Sequence, residues 1–346
     1  MTAPLRLSLD TNALCANWRA LDRLSGRAAC GAAVKADGYG LGARGVVERL
    51  AKAGARDFFV ASWTEAAAMA DLVEDPAIGL SVLHGVRAED MVLASQGFAR
   101  PVLNTRDQVQ RWRAAAGGPC DVMVDTGMNR LGVSAEEIAQ GLLDGIAIDT
   151  ILSHLACADE DAAANPRQRE RMEALRGMTG ARRMSLANSA GIALGESYAF
   201  DLTRPGLALY GGVPRGELAD VVRQVVRPQA QILQRRVLAA GDSIGYNARY
   251  TATQAMEVAI LNIGYADGYW RGFSNSGHAC VGDALLPVLG RVSMDLTAIS
   301  VDALPTLVEG DWVTLDFALP HASAQSGMSQ YELLTGLGAR FDRIWA

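Results

Sequence analysis

Between residues 28 and 203 eight short apolar runs of strand length alternate with seven segments whose apolar residues recur at helical spacing. The runs fall at 28–34, 57–61, 78–83, 100–103, 121–124, 147–153, 183–187 and 200–203. Helical patterns lie between them at 45–53, from Thr64, at 88–96, 106–116, 134–143 and 166–178, and after Asn188. Strand and helix in strict alternation build a parallel sheet, and eight such units close into a (β/α)8 barrel of the TIM type. A doubly wound open sheet is the competing solution. The count of eight favours closure.

A barrel of about 250 residues leaves roughly a hundred of the 346 unassigned. Beyond Pro214 the helical pattern gives way to short segments rich in Val and Ile, at 229–238, 257–263, 284–289, 296–301 and 312–317, with Gly and Asp between them. This predicts a C-terminal all-β domain over 225–346, after a barrel over 10–224. The alternating segment 5–9 has no barrel partner and is expected to join the β-domain.

In a barrel the carboxyl ends of the strands form one face, where exposed side chains converge. Those ends collect Lys35 and Tyr39, then Asp125 to Arg130, His154, Asn188 with Ser189, and Arg204 followed by Pro205, Gly206 and Leu207. The set is chemically coherent. An amine among apolar neighbours has a lowered pKa and can form a Schiff base with a carbonyl. Arg204 and Arg130 can donate to a ring nitrogen, a ring oxygen or a carboxylate, and Ser189 with the Gly206 and Leu207 amides can hold a phosphate. No acidic cluster suited to a metal lies on this face. Taken singly, each residue has a plainer role: Lys35 as a solvated strand end, His154 as a core histidine, Arg204 as a salt-bridged structural residue, and Tyr246 and Tyr265 as strand aromatics.

Composition narrows the partner. The net charge is -6 and basic residues are scattered, which argues against nucleic acid and anionic membranes and leaves a small molecule. The five cysteines are widely separated with no metal or redox spacing, and no apolar run suits a signal peptide or a membrane span. A cytoplasmic protein with free thiols is expected.

Eight blocks then occur in order: AVKADGYGLG at 33–42, DTGMNRLG at 125–132, SHLA at 153–156, ANSA at 187–190, RPGLALYG at 204–211, GYNARY at 245–250, GYADGY at 264–269 and GRVSMD at 290–295. In these the chain resembles the alanine racemase family, pyridoxal-phosphate enzymes with a barrel followed by a β-domain. The resemblance implies that Lys35 holds pyridoxal 5'-phosphate and acts as the base on one face of the substrate Cα, and that Tyr246 is the base on the other. Two bases are needed, because a single group returning its own proton regenerates the starting enantiomer. A free phenol titrates near pH ~10, and the resemblance supplies help through hydrogen bonds from Arg204 by way of His154. Arg204 would also face the pyridine nitrogen. Tyr39, Ser189, Gly206 and Leu207 would bind phosphate, and Arg130, with Met294, the substrate carboxylate. Tyr265 would narrow the entrance.

Since Tyr246, Tyr265 and Met294 lie in the β-domain and reach the barrel of a second subunit in relatives, the resemblance implies a homodimer with shared sites. The implied role is D-alanine supply for peptidoglycan. A racemase of another or broader amino-acid set and a non-catalytic cofactor-binding barrel are the alternatives. Three positions depart from the pattern. Met123 stands where many relatives carry a carbamylated lysine that steadies the arginine, so Asn129 or an anion takes over or Arg130 is held less firmly. Ser293 replaces a frequent cysteine, and Ala339 a phosphate-binding tyrosine.

Overall fold

A computed structural model describes residues 3–346. Leu14–Leu209 and Val213–Arg223 form one compact unit; the second comprises Tyr210–Gly212 and Gln224–Ala346 with the N-terminal segment up to Ala13.

In the first unit seven parallel strands pair in sequence order: Ala32–Ala33, Asp57–Val60, Gly79–Val82, Arg100–Leu103, Cys120–Met123, Ile148–Leu152 and Arg183–Ser185. The eighth, Leu202–Thr203, pairs in parallel with Ala29–Cys30, which runs into the first strand through Gly31. Main-chain bonds seal both of its flanks. The Asp201 and Arg204 amides donate to Met184 and Ala187 carbonyls, and the Gly31 and Ala33 amides to Thr203 and Pro205 carbonyls. Closure also has a side-chain witness, because Arg183 pairs with Asp57 at 2.6 Å. Their strands stand five positions apart in the sheet order, about 24 Å in a flat sheet at ~4.8 Å per strand.

The strands are buried on both faces, with Phe58, Val60, Val102, Leu103, Val122 and Leu152 fully enclosed. The helices begin where a side chain can satisfy their free amides. Ser62 accepts from Glu65, Thr105 from Gln108, Asn188 from Gly191, and Ser134 with Glu137 forms a reciprocal capping box. Ser62, Thr105 and Asn188 sit within three residues of the preceding strand, so those loops at the carboxyl end of the barrel are short, whereas Ser134 closes a longer loop after Cys120–Met123.

The second unit is an eight-stranded sheet that also closes on itself. Its order is Met256–Leu261, Thr297–Ser300, Ala284–Leu289, His278–Val281, Trp312–Leu315, Val226–Leu238, Leu5–Leu9 and Asp342–Trp345. Val226–Leu238 closes it by pairing with two further strands besides Leu5–Leu9. Gln229 to Gln231 pair with Thr314 to Trp312, and from Ile232 to Leu238, across an irregularity between Ile232 and Gln234, the strand pairs with Leu261 to Met256. The helical pattern does not end at Pro214, as the sequence suggests. Leu319–Ser326 and Gln330–Thr335 are helices, the first opened by a proline and the second by a Ser329/Glu332 capping box. Among the described residues no helix is long and apolar enough to cross a membrane.

Candidate active site

The strand ending at Ala33 delivers Lys35 into an unusual turn. Ala36, Asp37, Gly38, Tyr39 and Gly40 all have positive φ, between 53° and 83°, making one turn of left-handed helix. Three of these residues carry a Cβ, and each costs about 1–2 kcal/mol in that conformation. Contacts from outside the turn hold it. The Glu65 carboxylate accepts from the Ala36 amide at 2.8 Å and from Ala61 at 2.7 Å, and Asp37 accepts from Ala43, the first residue of the next helix, at 2.9 Å. The result aims Lys35 into the barrel mouth and turns Tyr39 inward, where it is buried.

Lys35, Arg130, Arg204 and His154 come together there, close enough for each cation to act on its neighbours. Burial and then the Arg130 and Arg204 charges push the Lys35 amine below the ordinary lysine range, against a smaller opposing pull from Glu65. Burial and the same three cations hold His154 down at about 3, so its imidazole is neutral at physiological pH. Arg204 is buried and lowered to about 10, which leaves it charged. It is fixed by Nε donating to Ser185 Oγ at 2.9 Å and by Nη2 donating to the Ser153 carbonyl. Among the described residues Arg204 shares no hydrogen bond with His154, so the Arg204–His154 link of the relay implied by the resemblance is not made by a hydrogen bond. The mouth is strongly positive in a chain of net charge -6.

Beside the cations lies an anion cup. Ser189 Oγ accepts from the Gly206 amide at 2.9 Å and from Ala208 at 3.2 Å, which leaves its own proton to donate outward. Gly206 is there because of Tyr39: a Cβ at this position would come within 2.8 Å of Tyr39 Cζ and overlap its hydroxyl. Leu207 opens the short turn that follows.

Arg130 rides on a loop whose turn is set by Asp125, which accepts from the amides of Gly127, Met128 and Asn129. Met123 is buried in the barrel core with Phe59, Val102, Leu152 and Leu202. Neither it nor Asn129 bonds the Arg130 side chain, which among the described residues has no hydrogen-bond partner. Asn129 therefore does not take over the support of Arg130.

The other three predicted residues belong to the second unit. Tyr246 and Met294 are exposed, at 68% and 54%, and the Tyr265 ring lies 4.7 Å from the Arg271 guanidinium carbon. Tyr265 and Ala266 amides donate to the Ser293 and Met294 carbonyls, so the two loops are tied together. Arg340 clamps both by donating to the buried Asp267 and to Asp295, at 2.7 Å each. Ser293 contributes its backbone to this tie.

Residue-by-residue reading of the sequence misses Glu65, Ser185 and Arg340, and collects Asp125 at a strand end without its role in shaping the turn. Glu65 and Asp125 leave a trace, an acid three residues after a helix-capping serine and an Asp-x-Gly turn; Ser185 and Arg340 leave none. Among the described residues no group of three or more His, Cys, Asp or Glu could hold a metal ion.

The N-terminal domain of the alanine racemase family matches residues 9–214 and its C-terminal domain residues 225–345. The chain is 40% identical over 352 residues to alanine racemase of Acidiphilium cryptum, covering 98% of both proteins. It is 41% identical over 356 residues to that of Dinoroseobacter shibae, covering 99% of both. The solved alanine racemase of Bartonella henselae, described with covalently bound pyridoxal phosphate, superposes with a TM-score of 0.89 at 33% identity and 99% coverage of both chains. The chain therefore belongs to the alanine racemase family, as a pyridoxal-phosphate-dependent isomerase that interconverts L- and D-alanine.

Proposed function

We propose that racemisation uses two bases from different subunits, Lys35 and Tyr246 of the partner subunit, and that the observation carrying this reading is the cluster of Lys35, Arg130, Arg204 and His154 beside the Ser189 and Gly206 cup. The residues fit the cofactor: a cup whose hydroxyl has a proton to give and whose glycine admits the Tyr39 ring and hydroxyl, next to an amine with a lowered pKa. Tyr39, Ser189, Gly206 and Leu207 would hold its phosphate, Lys35 its aldehyde carbon and Arg204 its ring nitrogen. When bound, it supplies a conjugated electron sink that acidifies the amino acid's Cα–H.

The protein's own groups do the rest. Lys35 Nζ, poorer in protons than an ordinary lysine, takes or returns the Cα proton on one side, and Tyr246 Oη serves the other. His154, neutral at working pH, can accept from or donate to that phenol without adding charge to a site already rich in cations. Arg204 keeps its proton at neutral pH and so donates without protonating its partner. Arg130 binds the carboxylate with Met294, and Tyr265 narrows the entrance.

The exposure of Tyr246 and Met294 in the isolated chain supports a homodimer in which each second unit completes its partner's site. The product D-alanine would serve peptidoglycan synthesis. The five unpaired cysteines support a cytoplasmic location.

Lys35→Ala should lose the cofactor's visible absorbance and the activity in a chiral assay on alanine; a variant racemising at the parental rate overturns the assignment. Tyr246→Phe should still exchange the α-deuterium of one enantiomer with solvent while racemisation stops; equal loss of exchange from both enantiomers sinks the two-base reading. Mixing the two inactive variants tests shared sites. Random reassortment yields heterodimers with one intact site, recovering about a quarter of wild-type activity, whereas sites contained within one subunit recover none.

A further inference from the structure

We propose that Gln168 is a positioning residue of this racemase: its side-chain amide fastens together the two loops that present Arg130 and His154. The proposal rests on the assignment of those two residues above. Gln168 lies on the helix Ala164–Glu173, whose buried positions are Asn165, Gln168 and Met172. A helix packed against a barrel for stability alone would turn aliphatic residues inward, yet two of these three are amides.

The Gln168 side chain is 2% exposed and uses both of its ends. Nε2 donates to the His154 carbonyl at 2.9 Å and to Thr126 Oγ1 at 3.2 Å, and Oε1 accepts from the Ala156 amide at 2.8 Å. One planar group thereby spans the loop after Cys120–Met123, which carries Arg130, and the loop after Ile148–Leu152, which carries His154. Further bonds extend the fastening. Thr126 Oγ1 lies 2.7 Å from Ser153 Oγ, Arg171 donates to the Thr126 carbonyl at 3.0 Å, and the Ser153 carbonyl receives Arg204. His154 is thus bonded to this amide directly and Arg204 is tied to it through Thr126 and Ser153, while Arg130 follows the fastened Thr126 by four residues in the same loop. Arg130 has no hydrogen-bonded partner of its own among the described residues, so its loop is what places its guanidinium. Outer groups that orient a site in this way are commonly worth about 10–100-fold in affinity or activity.

The test compares Gln168→Leu, which keeps the volume and removes all three bonds, with Met172→Ala, which removes buried packing from the same helix and touches neither loop. Both should lower Tm. Well below their Tm, Gln168→Leu should lose about 10–100-fold in kcat/KM, with KM rising as well as kcat falling because Arg130 is displaced, while Met172→Ala stays near wild type. Hydrogen exchange, read with and without pyridoxal phosphate, should rise roughly tenfold in the 153–157 segment of Gln168→Leu and not of Met172→Ala. Should Gln168→Leu fail to fold, Gln168→Glu keeps the acceptor for Ala156 and removes both donors when ionised, and the same loss is expected of it. Wild-type kinetics and exchange in a folded Gln168 variant, or an equal kinetic loss in Met172→Ala, overturn the proposal. Absence of alanine racemisation by the wild-type enzyme would instead overturn the assignment of the site, and the exchange result would still judge the fastening.

Discussion

Substituting Gly206 by alanine tests the phosphate cup with one carbon atom. The new Cβ would sit 2.8 Å from Tyr39 Cζ and closer still to its hydroxyl, where ordinary carbon contacts begin near 3.4 Å. Something must move by at least about 0.6 Å at the ring, more at its oxygen. Tyr39 is 6% exposed and its backbone is locked at φ 55° in the left-handed turn, so the ring has no cheap exit. Overpacking of this kind costs about 1–3 kcal/mol, and a displacement approaching 1 Å in a positioning group costs up to about 10²-fold in function. We expect Gly206→Ala to lower Tm by several degrees and to weaken pyridoxal-phosphate binding by about 30–100-fold in an absorbance titration. The double variant with Tyr39→Phe, which removes the overlapped hydroxyl, should recover part of the stability loss, a coupling that independent sites would lack. Gly216→Ala is the control: no atom lies within 4 Å of its Cβ position, and its effect should stay within about 0.5 kcal/mol. Wild-type cofactor affinity in Gly206→Ala would refute the view that the Tyr39 and Gly206 contact shapes the phosphate site.

Two further outcomes follow from the same geometry. Arg340→Leu strips the buried Asp267 of its cation and unties the Tyr265 and Met294 loops; because Arg340 is itself half exposed, the loss in urea denaturation should be about 1–3 kcal/mol, with KM for alanine rising, and an unchanged KM would detach the clamp from the site. His154 titrates at about 3 in the folded chain and near pH ~6.5 when unfolded, so between those values the unfolded state binds a proton that the folded state does not. Stability should therefore fall as pH drops through that window, by up to about 1.4 kcal/mol per pH unit, and His154→Gln should flatten this dependence; an identical slope in the variant would exclude His154 as its source.

The sequence by itself determined the layout. Alternation of strand and helix patterns is written within windows of ten to fifteen residues, so the eight barrel strands emerged from local periodicity, and the rule that strand ends share one face picked out Lys35, Arg130, His154, Ser189 and Arg204. The Gly282-Asp283 pair marking the hairpin of His278–Val281 with Ala284–Leu289, and the Ser329/Glu332 box before the last helix, are local signals too, though short ones easily outweighed by the strand-rich surroundings. What only the tertiary structure decided are the bonds between segments far apart in the chain. Glu65 reaches the Ala36 amide across 29 residues, Ser189 the Gly206 amide across 17, Gln168 the Thr126 hydroxyl across 42 and Arg340 the Asp267 carboxylate across 73. In the sequence Gln168 sits among Arg167, Arg169 and Glu170 and reads as one more polar residue of a solvated helix face. Whether an amide meets water or the two loops that carry Arg130 and His154 depends on how the barrel closes, and closure is a property of the whole sheet that no local window contains.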